Sequence, residues 1–289
     1  MRCRARAAGM GSARTHWLTS KQTRMSKSPW FLSRPAGHRR LRLFCFPYAG
    51  GNAAHYLPWQ DRLDPSIEVV GVQLPGRGAR LRETPLDSLH ALVAQLAVQI
   101  PLLDPVPFAF FGHSLGALIA FELARYCKLH LMRMPLMLFV SGCDAPQVRT
   151  RERRLHELDD EALIAALGEF NGTPPELLEH RELMDLLAPT IRADFAMAAN
   201  YRYRPGLLLD TPIVVLRGHE DTEIAGHLDG PDAWQRETTA ACRVQWFDGD
   251  HFFINSSRDA VIALLDADLK ARLPIAARLP SLHSPGLQP

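Results

Sequence analysis

The sequence predicts an α/β architecture: a mostly parallel central sheet with helices on both faces and one long helical insertion. Three observations predict it. Short β-branched or apolar runs alternate along the chain with longer stretches whose apolar residues recur at helical spacing. The run Phe108 to Phe111 is wholly apolar, as a strand covered on both faces must be. The stretch from Cys143 to Asp210 breaks the alternation, with helical pattern and no convincing strand.

From the N-terminus, Leu41 to Phe46 reads as a strand closed by the turn Pro47-Tyr48-Ala49-Gly50-Gly51. Ile67 to Leu74 is a second strand, stopped by Pro75-Gly76-Arg77-Gly78. Leu86 to Leu103 has a helical period, Phe108 to Phe111 is the central strand, and Ala117 to Lys128 the helix after it. Leu136 to Ser141, Ile213 to Gly218 and Val244 to Phe247 supply three further strands, and Arg258 to Ala271 a closing helix. Inside the insertion, Thr173-Pro174-Pro175-Glu176 has the pattern of a capping box with Pro at the first helical position, so a helix is expected to begin there. The apolar stripe beyond it, which includes Met184, Ile191, Phe195 and Met197, must be buried on the sheet edge or over a site. Placed between two strands, residues of about 145–210 make a lid rather than a crossover.

With 289 residues the chain is long enough for one large domain, expected over 39–275. Residues 1–42 hold 11 of the 33 Lys and Arg and none of the 31 Asp and Glu, so the body is net acidic. A basic extension on an acidic body does not mark a nucleic-acid binder. Residues 1–38 are therefore left out of the fold, and 276–289, rich in Pro and Ser, are expected to fray. The extension lacks the apolar core of a secretory signal; it fits either a loose transit peptide or residues ahead of a start at Met25. Apolar runs such as Leu136 to Val140 are too short for a bilayer, so no membrane association is expected. Five scattered cysteines, Cys3, Cys45, Cys127, Cys143 and Cys242, form no CxxC pair. That composition suits reduced thiols in a cytoplasmic protein and implies no disulfide framework and no metal site.

Gly112-His113-Ser114-Leu115-Gly116 follows an apolar strand and precedes a helix, the context of a G-x-S-x-G nucleophile elbow and hence of the α/β-hydrolase fold. Ser114 is the expected nucleophile. An alcohol is a poor nucleophile until a base takes its proton, and in this fold the order is Ser, then acid, then His. His251 follows the last strand and precedes the last helix, which makes it the expected base; His219 and His227 are its rivals. Asp221, after the strand Ile213 to Gly218, is the expected acid, with Glu220 the rival one residue away. Asp248 and Asp250 are too close in sequence to His251 to aim at its ring. Two backbone amides must hold the oxyanion: that of Leu115, after the nucleophile, and that of Ala49, in the loop after the first strand.

Those residues define an acyl hydrolase. Phe46-Pro47-Tyr48-Ala49-Gly50-Gly51, Gln73-Leu74-Pro75-Gly76-Arg77, the serine motif, Gly172-Thr173-Pro174-Pro175, Arg192-Ala193-Asp194-Phe195 and Tyr201-Arg202-Tyr203 go further. Together, over about residues 40 to 272, they resemble the type II thioesterases, stand-alone editing enzymes of nonribosomal peptide and polyketide assembly lines. The resemblance implies hydrolysis of aberrant or stalled acyl groups from the phosphopantetheine arm of an acyl or peptidyl carrier protein. It implies no cofactor beyond the arm that the substrate carries, and a monomer. The acid loop departs from the family, reading Arg217-Gly218-His219-Glu220-Asp221-Thr222 where Gly-Asp-x-Asp-Pro is commoner. The lid entry is unusually basic; Arg149, Arg151, Arg153 and Arg154 are either a carrier-docking patch or a solvated loop. Two other readings remain: a small-molecule carboxylesterase or lipase with the same triad, and a catalytically idle carrier-binding module.

Overall fold

The computed structural model describes residues 28–34, 39–103, 105–149, 153–170, 172–222 and 232–273. Among them, β1 (Phe31–Leu32), β2 (Leu41–Phe46), β3 (Ile67–Val72), β4 (Phe108–His113), β5 (Leu138–Ser141), β6 (Ile213–Gly218) and β7 (Cys242–Phe247) form one sheet. Its spatial order is β1-β3-β2-β4-β5-β6-β7, and every ladder is parallel except β1 with β3. The helices are α1 (Leu89–Ala97), α2 (Leu115–Leu129), α3 (Asp160–Glu169), α4 (Pro175–Leu178), α5 (Arg181–Asn200), α6 (Phe253–Ser256) and α7 (Arg258–Arg272).

Strand alternation sorts the core into two layers. Phe44, Phe46, Val70, Val72, Phe110, Val140 and Val215 face α1 and α2. Leu43, Cys45, Val69, Phe111, Phe139, Val214 and Leu216 face the other way, onto Tyr56, Trp59 and the Val261, Leu265 and Leu269 stripe of α7. Each fully buried Phe or Leu contributes about 1.5–3 kcal/mol. A one-residue register slip would swap the two layers at every strand, so the register is tightly specified. α3 and α5, with Leu155 of the 3₁₀ segment Leu155–Glu157, build a smaller core of their own from Leu155, Leu163, Leu167, Met184 and Ile191. They fill the chain between β5 and β6, and the far end of α5, through Met197 and Ala198, packs into the main core. Among the described residues no helix is long and apolar enough to cross a membrane.

Three expectations need correction. Residues 28–34 belong to the fold: β1 pairs with β3, and Trp30 is buried beneath the Arg80 guanidinium, 3.9 Å from its ring. The helix expected over Leu86 to Leu103 stops at Ala97, and its cap is Ser88, whose hydroxyl accepts from the Ala91 amide. Past it the chain turns into a short 3₁₀ segment, Ile100–Leu102, with Pro101 inside. The Thr173 capping box starts a helix of only four residues, with Pro174 at the cap and no side-chain cap bond. The long lid helix α5 begins later, capped by His180. The remaining 1–27 and 276–289 lie outside the described residues.

Candidate active site

Parallel pairing brings the C-terminal ends of β2, β4, β5, β6 and β7 to one edge of the sheet, where open α/β sheets bind ligands. Phe46 pairs with Gly112, His113 with Ser141, and Gly218 with Phe247. Ser114, Asp221 and His251 each follow one of these strand ends.

The serine turn is steric. A Cβ at Gly112 would sit 2.0 Å from the Gly116 carbonyl oxygen, and one at Gly116 would sit 2.2 Å from that of Phe46. Ser114 itself has φ 52 and ψ −118, a conformation that costs an L-residue about 1–3 kcal/mol. Its own amide donates to the Ser141 carbonyl at 2.8 Å. The next amide, that of Leu115, opens the 15-residue helix α2, where the helix dipole favours negative charge. Across the edge, the Gly51 amide donates to the Tyr48 carbonyl at 2.8 Å and closes the turn that carries Ala49.

The acid and base loops interlock. The Glu220 amide donates to the Gly249 carbonyl at 3.0 Å, and a Cβ at Gly218 would strike the Gly249 and Asp250 carbonyls at 2.5 Å. His251 Nδ1 lies 3.0 and 3.1 Å from the two carboxylate oxygens of Asp221. The Asp221 side chain is fully buried and that of His251 is 10% exposed. The rivals point elsewhere. Glu220 is exposed, Asp250 Oδ1 accepts from the Phe252 amide, and His219 stacks on Trp246 at 5.4 Å. His227 lies outside the described residues.

His113, inside the elbow, is buried as a structural residue: its ring lies 5.0 Å from that of His251 and its Nδ1 is 2.9 Å from Ser141 Oγ. Burial holds this imidazole well below its ordinary range, and His251 and then His55 push the same way. A neutral ring is what a neighbour of a forming imidazolium needs, since a second cation would oppose it. The linkage is signed: the unfolded chain takes up a proton that the folded chain refuses, so stability is full above the ordinary value and lost below it. The melting temperature should fall as pH drops from about 7 to 5, and His113→Gln should flatten that slope. An identical slope in the variant would contradict the assignment; His55, also lowered by burial, leaves a residual slope in both.

The lid reaches the site twice. Ile191 packs against Gly50, where a Cβ would be 3.3 Å from Ile191 Cγ1. Gly172 lies so close to the Phe252 ring, beside His251, that a Cβ would approach its Cζ to 2.2 Å. At the basic lid entry Arg153 pairs with Glu169 and Arg154 with Glu157, while Arg149 donates to Cys143 Sγ at 3.2 Å. That pairing favours the solvated-loop reading for Arg153 and Arg154; Arg151 lies outside the described residues.

Sequence reasoning missed Asp194, although a signal existed. It stands three residues after Ile191 and three before Met197, on the buried stripe, and a buried carboxylate must have a partner. Its partner is Arg77, at 2.7 Å.

A nucleophile-elbow serine with an acid–base pair at the same sheet edge defines the α/β-hydrolase class. Within that class the chain belongs to the thioesterase family, whose domain model matches residues 41–269. It is a thioester hydrolase. It is 38% identical over 242 residues to the gramicidin S biosynthesis protein GrsT of Aneurinibacillus migulanus, covering 83% of this chain and 94% of that one. The type II thioesterase BorB from the borrelidin biosynthetic cluster superposes with a TM-score of 0.77 at 35% identity, over 84% of this chain and 98% of that one. YbtT, a type II thioesterase from the yersiniabactin NRPS/PKS biosynthetic pathway, superposes with a TM-score of 0.74 at 31% identity, over 84% and 99%.

Proposed function

We propose that this chain is an editing, type II thioesterase that clears acyl groups from the phosphopantetheine arm of carrier proteins in a nonribosomal peptide or polyketide assembly line. The observation that carries the chemical part is the Asp221–His251 pair, set at the sheet edge that also carries the Ser114 elbow. The likeness to type II thioesterases through the lid, and not merely around the serine, supports the substrate class.

In this reading Ser114 Oγ attacks the thioester carbonyl while His251 takes its proton, and Asp221 fixes the His251 tautomer and stabilises the imidazolium. The carbonyl oxygen, now an anion, accepts from the amides of Ala49 and Leu115. The intermediate collapses, the C–S bond breaks, and His251 returns the proton to the departing pantetheine sulfur. Water then repeats the sequence on the Ser114 acyl ester and releases the free acid. A thiolate leaves easily, so the chemistry asks for no metal or cofactor.

The test compares an acyl group on a carrier protein with the same acyl group on a simple aryl ester. A kcat/KM for the loaded carrier at least about a hundredfold higher, some 2.7 kcal/mol of transition-state binding drawn from carrier and arm, is expected. A preference for the free ester would favour the carboxylesterase reading.

A further inference from the structure

The ion pair between Arg77 and Asp194 joins the loop after β3 to the lid helix α5 and is buried, with the two side chains 5% and 0% exposed. As a staple alone it is a poor device, because an apolar pair of similar volume generally serves stability as well. Its hydrogen bonds show what else it holds. Asp194 Oδ1 accepts from one guanidinium nitrogen of Arg77, and Oδ2 accepts from the other, each at 2.7 Å. Oδ2 also accepts the Gly50 amide at 2.8 Å. Arg77 in turn donates to the Gly51 carbonyl at 3.1 Å.

These bonds converge on the turn that carries Ala49. The Tyr48 carbonyl is held by the Gly51 amide, and in a trans peptide the Ala49 N–H points opposite to that carbonyl. Its direction is therefore fixed by the turn. Gly50 sits at φ 73, in the left-handed region, and its amide is tied to Asp194. Without that acceptor, the peptide between Ala49 and Gly50 is free to rotate and the turn to open.

We propose that Asp194 is a positioning residue: acting through Gly50, and together with Arg77, it locks the Tyr48–Gly51 turn so that the Ala49 amide faces the oxyanion. Because Asp194 rides on α5, seating of the lid and assembly of the oxyanion site become one event. The proposal rests on the serine thioesterase reading above and adds a residue that touches no reacting atom.

The experiment measures kcat and KM on an acyl-loaded carrier, the inhibition constant of an acyl-pantetheine trifluoromethyl ketone, and melting temperature. The hemiketal that the ketone forms with Ser114 carries the oxyanion; the ground-state thioester does not. Asp194→Asn offers Arg77 an NH2 group where an acceptor is needed, so the side chain no longer serves both partners. It should lower kcat and ketone affinity together by about ten- to a hundredfold, with KM within about threefold, because a misaimed donor loses much of what a deleted one loses. Thr190→Val is the control: it cuts another lid-to-body bond, to the Gly76 carbonyl, without touching the turn, and should leave kcat within about threefold. Should Asp194→Asn fold poorly, the double variant Arg77→Met with Asp194→Leu replaces the pair by apolar groups and restores stability. It should still show the loss of kcat and of ketone affinity. A double variant that regains kcat along with its melting temperature overturns the positioning role, as does a folded Asp194→Asn with unchanged kcat. Wild-type protein that neither hydrolyses the loaded carrier nor binds the ketone overturns the thioesterase-site reading itself, and this proposal with it.

Discussion

Ser114→Ala should reduce turnover of an acyl-loaded carrier by at least about a thousandfold while the protein melts within a few degrees of wild type. Ser114 is half-buried at a turn whose shape is set by Gly112 and Gly116 and by its own amide bond to Ser141. None of these depends on the hydroxyl. Among the described residues no other serine stands at φ above zero, the conformation that lifts the side chain out of the strand–helix turn. What survives should be the background left by the Leu115 and Ala49 amides and by substrate binding, as in other hydrolases that lose a triad member. Steady-state kinetics beside a thermal melt checks it. Retention of more than about a tenth of the wild-type rate would contradict the assignment.

Asp221→Asn should also cost steeply, about 10⁴-fold in kcat, because an amide can hold imidazole in the tautomer that presents N–H rather than a lone pair to the serine. Glu220→Gln should stay within about threefold, since Glu220 is exposed while the Asp221 carboxylate is buried against His251 Nδ1. The two variants measured side by side separate adjacent carboxylates that sequence spacing alone barely distinguishes. The reverse ranking would move the acid back by one residue.

Much of this was legible in the sequence, for reasons that differ by element. The strands Leu41–Phe46 and Ile213–Gly218 agree to the residue, because each is a β-rich run with a sharp turn behind it. β1 was hidden because two residues carry no period; only its pairing with β3 and the burial of Trp30 reveal it. The overlong reading of α1 shows the limit of periodicity, since Ile100 and Leu103 fall on the helical stripe yet follow a break at Val98. Thr173 misled because capping residues also start single turns.

In the site, chain order pointed to Ser114, Asp221 and His251, since each follows the end of a strand of the parallel sheet. The Asp194–Gly50 bond spans 144 residues and joins a helix face to a loop, so no local signal encodes it. A carboxylate on an apolar stripe pointed towards it, as did the motif Arg192-Ala193-Asp194-Phe195 in which it stands. Adjacency to the nucleophile sets the His113 ring beside that of His251.

The most direct measurement is peptide mapping by mass spectrometry of wild-type protein quenched during turnover of an acyl-loaded carrier. The account predicts a carrier returned with a free phosphopantetheine thiol, and the mass of the acyl group on the peptide that contains Ser114 and on no other. Deacylated carrier with the acyl group on a different residue, or a loaded carrier left intact by active protein, would contradict it.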